Sequence, residues 1–267
     1  MVMRAIGRKF EELKRRGSKA FIPFITAGDP DLEVSIELIP VLEEAGSHIV
    51  ELGIPFSDPL ADGPTIQRSS ERALHHGYRM ADYLEAVRRV RERTAIPLML
   101  FSYFNPILQY GLDRLAREAR AAGVDGILVT DLTPEEGGEY SATMEAHSLD
   151  AIFLAAPTSG PERLRKIAAM SRGFIYLVSR TGVTGAREEL SVSIRPTLER
   201  VRRETGLPVA VGFGISRPEQ VREVWRIADG AVVGSAIVRQ IEMHQNQSGL
   251  PARIGEFCRW LTEDANG

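Results

Sequence analysis

Glu51 is a carboxylate inside an apolar run of strand length, His48–Leu52, at a position where the pattern of the strand calls for an apolar side chain. A charge buried there costs free energy unless it is paired or used. Directly after the run comes a loop built from Pro55, Pro59, Gly63 and Pro64, which carries two more carboxylates, Asp58 and Asp62. A stiff loop that brings a second acid beside the first predicts acid–base chemistry in a pocket. If the run is a barrel strand, Val50 and Leu52 face the helix layer and Glu51 points into the lumen. Phe24, Phe101, Tyr103 and Tyr176 are further lumen candidates. Together they predict an apolar slot with one carboxylate, whose pKa such surroundings raise, suited to a flat apolar substrate. The bland alternatives are a strand-end Glu paired with a basic residue, and two ordinary turn aspartates.

A second constellation lies in the C-terminal third. Thr184-Gly185, Gly212-Phe213-Gly214 and Gly234-Ser235 follow the last three apolar runs. Glycine lets a backbone approach a ligand closely and leaves its N–H groups unshielded. Gly234-Ser235-Ala236-Ile237-Val238 reads as a strand passing straight into a helix N-terminus, which attracts anions. Paired glycine loops after the last two strands predict a phosphate site, with simple turn glycines as the alternative.

Eight apolar runs must position these residues: Ala20–Thr26, His48–Leu52, Pro97–Ser102, Gly126–Thr130, Ala151–Ala155, Phe174–Val178, Pro208–Phe213 and Gly230–Val233. Most are continuous Val, Ile, Leu and Phe, as expected for parallel strands covered on both faces. Charged stretches of helical period separate them, and several end at a glycine suited to the left-handed C′ position, at Gly46, Gly123 and Gly206. Eight such units in 267 residues predict one α/β domain, a (β/α)8 or TIM barrel over residues 1–267, in preference to a doubly wound sheet. Three additions are expected: an N-terminal helix within 1–17, an extended loop and extra helix over 53–78, and a mobile loop over 179–195.

Composition narrows the function. The net charge of −3 gives no argument for nucleic acid or an anionic membrane surface. No run approaches the roughly 18 apolar residues of a membrane span, and the charged N-terminus lacks the apolar stretch of a signal peptide. The single Cys258 excludes an internal disulfide or a cysteine metal cluster. His48, His147 and His244 lack metal-like partner spacing, so no metal is expected. The chain is predicted to be cytoplasmic.

Five segments, in order, resemble the tryptophan synthase alpha subunit family: Pro23–Pro30, Glu51–Pro64, Ser179–Gly185, Gly212–Ser216 and Gly234–Val238. The resemblance covers nearly the whole chain. It implies a barrel that cleaves indole-3-glycerol phosphate to indole and glyceraldehyde 3-phosphate, a retro-aldol reaction without cofactor. It implies that Glu51 shuttles protons, that Asp62 accepts from the indole N–H, and that Tyr176 lines the slot and assists in catalysis. Phe24, Phe101, Leu128, Phe153 and Leu154 would be apolar contacts, with Tyr103 and Thr130 beside the substrate. Gly185, Gly212, Phe213, Gly214, Gly234 and Ser235 would hold phosphate, and Thr184 would close onto Asp62. A pyridoxal-phosphate-dependent beta subunit would be the partner, in an alpha2-beta2 heterotetramer, facing Pro55, Ser57, Asp58, Pro59, Asn105 and Asp131. The chain departs from relatives at Thr130 and Thr133, where they usually carry proline or alanine and then a second proline, and at Ser102 and Phe104. A stand-alone indole-releasing lyase and a non-catalytic phosphate-ester-binding barrel are the rival readings.

Overall fold

Parallel strands and the helices between them alternate along the chain, and strand pairing closes them into a barrel. The structure is a computed structural model that describes residues 3–178, 190–212 and 214–263. The strands are β1 (Ala20–Thr26), β2 (Val50–Gly53), β3 (Leu98–Ser102), β4 (Gly126–Val129), β5 (Asp150–Ile152), β6 (Leu154–Ala155), β7 (Ile175–Val178), β8 (Val209–Gly212) and β9 (Gly230–Val233). Their spatial order is β5-β4-β3-β2-β1-β9-β8-β7-β6, all parallel. Eight runs were expected and nine strands are found because the fifth run changes partner at Phe153. Its first part, β5, pairs with β4, and its second, β6, pairs with β7. That exchange closes the circle.

Strand alternation sorts the side chains into two apolar layers. Val50, Leu52, Leu98, Leu100, Ile127 and Ile175 face outward into the main core beneath the helices. Ala20, Ile22, Ile49, Met99, Leu128, Ile152, Phe174, Tyr176, Ala210 and Val232 face the lumen. The N-terminal helix α1 (Ala5–Arg15) also belongs to the lumen. Its buried face of Ile6, Phe10 and Leu13 packs against those residues, with the Phe10 and Phe174 rings 5.5 Å apart. One helical stripe therefore stoppers the N-terminal end of the barrel.

The remaining helices are α2 (Leu32–Glu44), α3 (Pro64–Leu74), α4 (Met80–Arg91), α5 (Phe104–Tyr110), α6 (Leu112–Ala122), α7 (Gly138–Ala146), α8 (Pro161–Met170), α9 (Leu190–Glu204), α10 (Pro218–Ile227), α11 (Ser235–His244) and α12 (Leu250–Thr262). The extra helix after β2 is α3, which starts with Pro64 at a position where a missing N–H costs nothing. Gly46 and Gly123 take the left-handed conformation expected of them, with φ of +94° and +99°, whereas Gly206 does not. The loop expected over 179–195 lies outside the described residues as far as 189, and from Leu190 onward the chain is helix, not loop. Among the described residues, no helix is long and apolar enough to cross a membrane.

Candidate active site

Glu51 points into the lumen, as the alternation of β2 requires, with Phe24 of β1 and Met99 of β3 as its register neighbours. It is 1% exposed, and its Oε1 has no hydrogen-bond partner. A buried carboxylate with an unsatisfied oxygen disfavours its charged form. Burial, reinforced by the nearby Asp62, pushes the Glu51 carboxyl up to about 8. At neutral pH Glu51 is a carboxylic acid with a proton to give.

Asp62 is held from outside its loop, by Tyr103 after β3 and by Gln67 of α3. Its Oδ2 accepts a 3.0 Å hydrogen bond from the Tyr103 hydroxyl, which itself accepts from the Ala61 N–H at 3.0 Å. Gln67 of α3 donates to the Asp62 carbonyl at 2.9 Å. Burial raises the Asp62 carboxyl to about 6, and the Tyr103 hydrogen bond opposes that rise. The two acids are thus tuned apart: near pH 7 Asp62 is mostly ionised while Glu51 keeps its proton.

Both acids line one cavity of about 350 Å³ at the C-terminal ends of the strands. Phe24, Phe101, Thr130, Leu154 and Tyr176 form its walls, and Gly214, Gly234 and Ser235 lie at one end. Phe24 and Phe101 meet edge to face at 5.3 Å, a stable apolar wall for a flat ring. At that same end α11 begins with Ser235, and the N–H groups of Ser235 and Ala236 precede the first hydrogen bond of the helix, which Ile237 makes to the Gly234 carbonyl. Among the described residues no lining residue is basic, so these residues would hold an anion through backbone and helix dipole.

Four expected site residues stand elsewhere among the described residues. Phe153 is turned away from the lumen, because adjacent strand residues face opposite sides and Leu154 already faces in. Its ring packs in the helix layer, 5.8 Å from Tyr140. Leu128 is in the lumen but below the cavity. Tyr103 is a support for Asp62 instead of a wall. Gly212 serves Tyr176: a Cβ there would stand 2.2 Å from the Tyr176 hydroxyl. Thr184, Gly185 and Phe213 lie outside the described residues. Thr65, Ile66, Val178 and Val232 line the cavity and were not foreseen. Val178 was within reach of the sequence, being two residues beyond Tyr176 on one strand, as was Val232, two before Gly234.

The Gly212 contact carries a prediction. Gly212→Ala should drive the Tyr176 ring into the cavity, raise KM about tenfold, and lower stability by roughly 1–3 kcal/mol as an overpacked core does. Steady-state kinetics with a thermal melt would check it, and an unchanged KM would mean that the ring yields in another direction.

Of the expected partner face, Ser57, Asp58, Asn105 and Asp131 are exposed, and Pro59 partly so. Pro55 is buried, so it shapes the loop instead of the surface. The Asp131 carboxylate accepts from the Phe104 N–H at 2.7 Å and so caps α5. Leu60, between Pro59 and Asp62, is 93% exposed.

Comparison with known proteins agrees with this geometry. The family model described as tryptophan synthase alpha chain matches residues 10–265. The chain is 54% identical to the tryptophan synthase alpha chain of Geobacter sulfurreducens over 261 residues, covering 98% of each. It is 51% identical to that of Solibacter usitatus, covering 97% of each. Among solved structures it is similar to tryptophan synthase subunit alpha from Legionella pneumophila, with a TM-score of 0.90 at 36% identity and 98% of each chain covered. It is also similar to a chain of a tryptophan synthase complex from Pyrococcus furiosus, with a TM-score of 0.82 at 37% identity, covering 91% of this chain and 97% of that one. With a family match over nearly its whole length and relatives at half identity, the chain belongs to the tryptophan synthase alpha chain family.

Proposed function

We propose that the lumen cavity cleaves indole-3-glycerol phosphate with Glu51 as the proton shuttle and Asp62 as the partner of the ring nitrogen. The lyase activity itself comes with the family; the assignment of roles rests on the site. The observation that carries it is Glu51, a buried carboxyl with an unpartnered oxygen on the cavity wall.

In this reading the indole ring sits against the wall formed by Phe24 and Phe101, and the phosphate rests at Gly234 and Ser235. Glu51 gives its proton to ring carbon C3, and the ring becomes a cation with its charge centred on the N–H. The Asp62 carboxylate accepts from that N–H and stabilises the charge. Glu51, now a carboxylate, takes the proton of the hydroxyl on the side-chain carbon attached to C3. That carbon becomes an aldehyde as the carbon–carbon bond breaks, and the bonding pair returns to the ring. Glu51 ends protonated, ready for the next turnover, which is the state its surroundings favour.

The pH dependence follows from the two acids. The log of kcat/KM should rise with pH until Asp62 ionises near 6 and fall once Glu51 loses its proton near 8. A profile flat across both limbs would remove these assignments.

We further infer that a beta subunit docks on the face holding Ser57, Asp58 and Leu60, and receives the indole. The exposed Leu60 on a loop adjoining the site supports this, as does the likeness to a chain of a tryptophan synthase complex. The test is indole release from indole-3-glycerol phosphate by the purified chain, alone and with a beta subunit. Slow release alone and strong activation by the partner are expected. Fast release without activation would favour a stand-alone lyase, and no release with phosphate-ester binding intact would favour a non-catalytic barrel.

A further inference from the structure

Outside the cavity, a connected group of charges lies between α3 and α11. Asp29, in the turn after β1, is only 1% exposed. Arg72 of α3 meets it with two prongs, Nε to Oδ1 and Nη2 to Oδ2, both 2.8 Å. Its third arm, Nη1, donates to Glu242 Oε1 of α11 at 3.0 Å. Arg68, one turn earlier, closes on Glu242 at 2.7 and 2.8 Å. The hydroxyls of Thr26 and Ser69 add a buried 2.7 Å contact between β1 and α3. Removing one partner of such a buried pair leaves an uncompensated charge, so the arrangement resists distortion.

Each of the three elements tied together leads to one part of the cavity. Helix α3 begins two residues after Asp62 and holds the Asp62 carbonyl through Gln67. Helix α11 begins at Ser235, the anion end. Strand β1 carries Phe24. Arg72 touches none of these cavity residues, yet its guanidinium joins the elements that bear all three. The bond to be broken lies between the ring and the phosphate tail. Its alignment with Glu51 therefore depends on the separation between Asp62 and Ser235.

We propose that Arg72 is a positioning residue that fixes the span between the ring end and the phosphate end of the site. The proposal rests on the reading of the cavity given above. Loss of the fork would let α3 move against α11, and Asp62 would drift from Tyr103 and from the substrate.

The test uses the full chain with its beta subunit, assayed well below the melting temperature. Arg72→Lys keeps the charge but not the planar fork, so it should not rescue the geometry. It is expected to lower kcat about tenfold or more with KM changed less than about threefold. Competitive inhibition by inorganic phosphate should stay within about threefold, because the helix start is intact. The rising limb of the pH profile should move upward, since Asp62 loses the Tyr103 hydrogen bond that restrains its pKa. Glu242→Gln, which spares the Asp29 pair and weakens only the α11 arm, should lower kcat by a smaller factor in the same direction. A folded Arg72→Lys with unchanged kcat and pH profile would overturn the proposal. If Arg72→Lys does not fold, an unchanged kcat in Glu242→Gln would do so. Asp62→Asn run alongside separates the two readings: if it keeps full activity, the reading of the cavity fails, whereas its inactivity beside a fully active Arg72→Lys defeats only the positioning role.

Discussion

Replacing Glu51 with glutamine is expected to cut indole release about a thousandfold or more while making the fold harder to melt at alkaline pH. The first effect follows from chemistry: an amide neither gives a proton to carbon nor takes one from the glycerol hydroxyl. The second follows from linkage. Burial raises the Glu51 carboxyl from an ordinary 4.5 to about 8. A group whose folded pKa is raised stabilises the fold in its protonated form. That contribution is whole below about 4.5 and is lost as pH climbs through about 8. Glutamine never ionises and loses nothing across this window. The gap in melting temperature between the variant and the parent should therefore be small near pH 5. It should widen by roughly 10 °C or more near pH 9, as the lost contribution reaches the order of 5 kcal/mol. Melts at a series of pH values, paired with single-turnover assays, would measure both. A variant that is inactive but shows a gap independent of pH would mean that Glu51 is charged in the native state, and the acid-first order of steps would fall with it.

Asp62→Asn is expected to lower kcat about a hundredfold or more and to leave KM nearly unchanged. The asparagine carbonyl still accepts one hydrogen bond from the ring N–H, so the ground-state complex survives. What disappears is the negative charge that meets the cationic ring after protonation. The same substitution tests the rising limb of the pH profile, because the substrate phosphate itself titrates near pH 6. If the limb belongs to Asp62, the residual activity of Asp62→Asn loses it. If the limb persists, it belongs to the substrate. Linkage separates this residue from Glu51 as well. The Asp62 carboxyl is raised from 3.8 to about 6, so the stability gained by Asp62→Asn should develop between these values and be constant above them. A large rise in KM instead would assign Asp62 to binding alone.

The sequence made the barrel legible because strand-length apolar runs, parted by helical stretches, follow from local rules. Glu51 was legible for the same reason: alternation alone sends it inward once Val50 and Leu52 are assigned to the helix layer. Phe153 shows the limit of reading by resemblance. It was grouped with Leu154 at the slot, although neighbouring strand residues face opposite sides, and the structure places only Leu154 there. The exchange of partners at Phe153 was not legible at all. It is set by closing the circle, which no residue within Ala151–Ala155 encodes. Tyr103 looked like one more lumen aromatic, and its role as a hydrogen-bond donor to Asp62 depends on a loop 41 residues away. The Arg72–Asp29 fork spans 43 residues, and each member taken alone reads as an ordinary surface charge.

The helix that stoppers the lower end of the barrel also governs traffic. With Ile6, Phe10 and Leu13 filling that end, the described part of the lumen is closed below, and its cavity lies at the C-terminal ends of the strands. Substrate and products are therefore expected to pass on the side away from α1, the side that carries the loops of the site. A protein seated on that side would be both gatekeeper and recipient.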